Sequence, residues 1–95
     1  MVEVRRSVTI GARVGLHARP AKLLAEAAGR QTVTVSICKE GGRPVDARSL
    51  LSLLALGAKQ GDEVVLTATG EGATEAVEAL AELVAKDLDE EPAGA

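Results

Sequence analysis

The sequence predicts an α+β fold: a four-stranded antiparallel sheet with three helices on one face, in the order β-α-β-β-α-β-α. Three observations lead there. Period-two alternation marks residues 2–10 and 32–38, while helical spacing marks residues 17–28 and 77–88. Glycines punctuate the borders between these stretches. The chain has 95 residues, 46% hydrophobic and 26% charged, which suits one small globular domain. That domain is expected over residues 1–88, with 89–95 as a flexible acidic tail.

The elements follow in order. Val2 to Ile10 reads as a strand with one buried face, and Gly11 to Gly15 as a loop. From His17 to about Ala28 the chain is rich in Ala and Leu, with Leu24, Ala25 and Ala28 on one helical face and Gly29 as the stop. Thr32 to Cys38 gives the cleanest strand pattern, with Val33, Val35 and Ile37 on one side. Glu40-Gly41-Gly42-Arg43 then turns the chain, and Arg43 to Asp46 returns as a short edge strand. Ser49 to Leu56 fits a short helix, closed by Gly57 and capped by Asp46 or Ser49. Glu63 to Thr69 is a fourth strand, apolar enough for a central place. After the Gly70-Glu71-Gly72 turn, Val77, Leu80, Ala81, Val84 and Leu88 form a stripe opposite a Glu-rich face.

Composition narrows the functional classes. Phe, Tyr and Trp are all absent, so the core is aliphatic and the stacking platforms of single-strand nucleic-acid binders are missing. A net charge of −3 gives no support to phosphate-backbone binding. Cys38 stands alone, which excludes an internal disulfide and favours a reduced, cytoplasmic setting. The first residues lack the apolar block of a signal peptide, and the most apolar stretch, Leu50 to Ala58, is too short for a bilayer. Neither nucleic acid nor membrane insertion is expected. Charge is uneven: residues 1–30 carry six basic against two acidic groups, a net of +4, whereas residues 71–95 carry one against eight, a net of −7. The basic part favours acidic partners and phosphate.

His17, the only histidine, lies in Gly15-Leu16-His17-Ala18-Arg19-Pro20. Glycine permits a close backbone approach, and proline suits the first turn of a helix. The imidazole is thereby placed at a helix start, where first-turn N–H groups and the positive end of the dipole favour an anion, phosphate above all. Arg19 adds a forked, permanently charged donor. A ring nitrogen attacks only when neutral, and this positive surrounding disfavours an extra proton. A lone surface histidine without chemistry is the bland alternative. The flanking Gly15, Arg19 and Pro20 argue against it.

With these residues the chain resembles the histidine-containing phosphocarrier (HPr) family of the bacterial phosphoenolpyruvate-dependent sugar phosphotransferase system. The resemblance rests on Gly15 to Ala21, on Ser49-Leu50-Leu51, on Leu56-Gly57 and on the glycine-bounded last strand and helix, nearly the whole chain. It implies an open-faced β-sandwich and a relay. Enzyme I hands a phosphoryl group to Nδ1 of His17, the Ala18 backbone N–H and the Arg19 guanidinium hold it, and a sugar-specific IIA domain receives it. No cofactor or metal is implied, and the chain is a monomeric carrier more than a stand-alone catalyst. Ser49 corresponds to the serine that a dedicated HPr kinase/phosphatase modifies in some branches; otherwise it is an N-cap. Lys22, Leu50, Leu51 and Leu54 are the expected partner contacts. Five leucines within Leu50–Leu56 exceed what one buried stripe requires, so some are expected on the surface.

Three departures from the family pattern stand out: Val14 in place of a small polar residue, Glu26 where lysine is common, and one extra residue near Gly41-Gly42. Alternative readings are a paralogue serving a dedicated nitrogen-related or dihydroxyacetone-kinase relay, or a regulatory binding module with His17 idle.

Overall fold

Alternation along the first strand decides which way each side chain faces, and the sheet is assembled on that choice. The computed structural model describes residues 2–12, 15–16 and 18–86. Within them lie β1 (Glu3–Thr9), α1 (Ala18–Gly29), β2 (Ser36–Lys39), β3 (Val45–Asp46), α2 (Leu50–Ala55), β4 (Glu63–Thr69) and α3 (Ala73–Ala85). The sheet has the order β1-β4-β2-β3 with every pair antiparallel. Element order, strand number and the central place of β4 match the expectation from sequence.

Register explains the core. Val64, Leu66 and Ala68 of β4 are buried, and their cross-strand partners on β1 are Val8, Arg6 and Val4. Ile37 of β2 pairs with Leu66 and is fully buried on the same face. Burying each such aliphatic side chain contributes about 1.5–3 kcal/mol. Arg6 is the odd member of this inward row. Its guanidinium escapes at the sheet edge to pair with Glu78 of α3, and an inward charge of this kind discourages edge-to-edge association. Arg5, Ser7, Val65, Thr67, Ser36 and Cys38 occupy the opposite face.

Helix α3 lies over β1 and β4, α1 packs on α3 and α2, and α2 reaches β3. The main helices turn alanine inward: Ala21, Ala27 and Ala28 from α1, and Ala73, Ala76 and Ala81 from α3 are all buried. Leu24, Leu53, Val77 and Leu80 fill the space between them.

The start of the second strand differs most from the sequence reading. The alternation from Thr32 predicts a longer second strand, yet β2 starts at Ser36. Arg30 and Gln31 still donate to Ala27 and Ala28 carbonyls, so the chain is only leaving α1 there and meets its partner strand later. Val33 and Val35 nevertheless face the core, Val35 fully. Between the two cap candidates of α2, Ser49 prevails: its Oγ accepts from Ser52 N at 3.2 Å. Asp46 instead accepts from Arg48 N at 2.9 Å and from the Arg48 guanidinium at 2.7 Å. That grip holds the Asp46 carboxyl below its usual range. Leu88 and the 89–95 tail lie outside the described residues.

Candidate functional site at the start of helix α1

The local sequence anchors this helix at its first turn. Pro20 and Ala21 are buried, whereas Ala18 and Arg19 are exposed at the tip. Proline costs nothing here, because the N–H it lacks has no acceptor within the first turn of any helix. His17, the principal candidate from sequence, lies outside the described residues, as does Val14.

Upstream, Gly15 has φ +74°, a conformation that L side chains rarely adopt. Its N–H donates to Ala12 O at 2.9 Å, and Leu16 N donates to Ala58 O at 2.9 Å. A Cβ at Gly15 would stand 2.3 Å from Ala58 O, so the loop before the histidine is pressed against the segment following α2. Leu16 is buried and fixes the other side of the same contact.

Beside the α1 tip runs an open groove of about 590 Å³ between α1 and α2, lined by Ala18, Arg19, Lys22, Leu23, Leu50 and Leu54, with Glu26 at its far side. Five of the residues singled out from sequence thus share one surface: Ala18, Arg19, Lys22, Leu50 and Leu54. Leu51 is outside that lining and projects into solvent, 80% exposed against 40% for Leu50 and none for Leu53. The expectation that part of the leucine cluster is exposed is met. Ser49, half-buried, caps the helix that carries these leucines.

Sequence reasoning missed Leu23, although its place four residues after Arg19 on a helix puts both on one face. It also missed the turn at 58–62 that supports the loop. Among the described residues, no three His, Cys, Asp or Glu come together as a metal site, and no helix is long and apolar enough to cross a membrane.

A family model described as "PTS HPr component phosphorylation site" matches residues 4–86, nearly all of the described fold. The chain belongs to the HPr family. Curated relatives agree. It is 49% identical over 87 residues to phosphocarrier protein HPr of Streptomyces coelicolor, covering 92% of this chain and 94% of that protein. It is 39% identical over 85 residues to the HPr-like protein Crh of Bacillus subtilis, covering 90% and 99%. Among solved structures, HPr of Bacillus anthracis superposes with a TM-score of 0.83 at 34% identity, covering 88% of this chain and 99% of that one. HPr proteins are phosphocarriers of the phosphotransferase system, and the architecture found here, an open sheet with helices on one face, is theirs.

Proposed function

We propose that this HPr-family chain accepts a phosphoryl group from phosphorylated enzyme I on His17 and delivers it to IIA domains of sugar-uptake systems, in the cytoplasm. The carrier domain is taken as residues 1–88. What carries the reading is the placement of Arg19 and the exposed first turn of α1 at the mouth of an apolar groove, immediately after the histidine. The first-turn amides and the guanidinium suit a dianionic phosphoryl group, and each exposed helix-end contribution is only about 0.3–1 kcal/mol. Such modest holding energy lets the group leave again. Transfer breaks the bond from phosphorus to the donor nitrogen as the bond to the His17 ring nitrogen forms, and the second transfer repeats this toward the acceptor.

Leu50, Leu54 and the projecting Leu51 supply apolar contact for partners, and Arg19 and Lys22 a cationic rim. Ser49 is the proposed regulatory position. A phosphate on its Oγ would place about two negative charges next to Leu50, at the border of that docking face.

The test is incubation with enzyme I and labelled phosphoenolpyruvate. The wild-type chain takes up acid-labile, base-stable phosphate, and His17→Ala takes up none while keeping its circular dichroism. Labelling of the variant overturns the assignment.

A further inference from the structure

Both ends of the loop leading to His17 rest on a single turn, residues 58–62. At the upstream end Ile10 N donates to Asp62 O at 2.9 Å and Gly61 N returns a bond to Ile10 O at 3.0 Å. Gln60 Nε2 reaches Gly11 O at 3.3 Å. At the downstream end Leu16 N donates to Ala58 O, and the Gly15 backbone lies against Ala58 and Lys59. The histidine follows one residue later.

The turn is in turn shaped by one side chain. Asp62 N donates to Lys59 O at 2.9 Å, while Asp62 Oδ2 accepts from Lys59 N at 2.9 Å, so the same four residues are closed twice. Lys39 Nζ, from the end of β2, stands 3.5 Å from that Oδ2 and ties the turn to the sheet. Donation by the Lys59 amide, aided by the nearby lysines, holds the Asp62 carboxyl below its usual range, as expected for a carboxylate in such use. Asp62 is not among the residues that line the groove.

We propose that Asp62 is a positioning residue for phosphoryl transfer: by fixing the 58–62 turn it fixes Gly15 and Leu16, and through them the approach of His17 to the α1 N-terminus. The inference rests on His17 being the phosphoryl acceptor. Its geometric content is that a hydrogen-bond acceptor is needed at this position, and charge is secondary.

The experiment compares wild type, Asp62→Ala and Asp62→Asn in enzyme I-dependent phosphorylation, together with the nitrogen-15 shifts and proton titration of the unphosphorylated His17 ring. Asp62→Ala is expected to lower kcat about three- to tenfold, because small displacements of a reacting atom are costly. KM stays unchanged, since the leucine face is intact. Asp62→Asn, whose Oδ1 still accepts from Lys59 N, restores both kcat and the wild-type ring signals. Unchanged ring signals and kcat in Asp62→Ala overturn the proposal, and so does an Asp62→Asn variant as impaired as the alanine. If wild type itself takes no phosphate, the carrier reading fails, while the ring spectra alone still decide whether Asp62 places the histidine.

Discussion

Gly15→Ala probes the loop contact most directly. Two effects add. Holding a non-glycine residue at φ +74° costs about 1–2 kcal/mol. The new Cβ, 2.3 Å from Ala58 O and 2.8 Å from Lys59 Cα, also meets backbone, which cannot swing aside as a flexible side chain would. Relief requires the loop to lift, which breaks the Leu16–Ala58 hydrogen bond, worth about 0.5–1.5 kcal/mol. The total is about 1.5–3.5 kcal/mol, and at about 4–8 °C per kcal/mol for a domain of this size the midpoint falls by about 6–28 °C. The control is Gly41→Ala, at φ +78° with nothing within 4 Å of the added methyl, which carries the backbone cost alone. Thermal melts followed by circular dichroism suit a chain without tryptophan or tyrosine. Equal losses in the two variants would show that the Ala58 contact contributes nothing and refute the reasoning.

Other outcomes follow from the same geometry. Leu51→Asp, at a side chain 80% exposed, leaves the urea midpoint unchanged but raises the KM for phosphoryl transfer about tenfold, since the lost apolar contact is worth about 1.5–3 kcal/mol when fully buried by a partner. Ser49→Ala removes the cap on α2 and costs about 1 kcal/mol, whereas Ser49→Asp keeps an acceptor and melts near wild type. The Asp62 carboxyl titrates below its ordinary 3.8 in the folded state, so its stabilisation is present above that value and is lost as pH falls through the folded one. Urea midpoints of Asp62→Asn therefore fall less steeply than wild type on acidification through that window.

What the sequence made legible was whatever depends on short-range pattern. Alternation placed β1 and β4 within a residue of their observed ends, and glycines at 57, 70 and 72 marked nearby breaks. Thr32–Val35 misled because strand preference is only a preference until a partner ladder is present, and here the chain is still emerging from α1. The division of the leucine cluster was legible only in principle. A surplus of leucines says that some are exposed, but Leu53 inward and Leu51 outward follow from where α2 is laid against its neighbours. The support of the site by residues 58–62 was not legible at all. Leu16 and Ala58 are far apart in the chain, they meet through backbone atoms, and backbone groups carry no trace in residue identity.

The inward alanines of α1 and α3 have a bearing on how this domain can drift. Where a helix buries methyl groups, there is little slack to absorb a bulkier side chain: extra methylenes forced into a packed interior typically cost about 1–3 kcal/mol. Substitutions at Ala27, Ala28, Ala76 or Ala81 should therefore be accepted mainly in compensated couples, one position shrinking or withdrawing as another grows. The helix-facing interior is closed to independent change, and variation is pushed outward to the opposite side of the sheet, where Ser7 is exposed and Ser36 and Thr67 face each other half-buried across the β2–β4 pair.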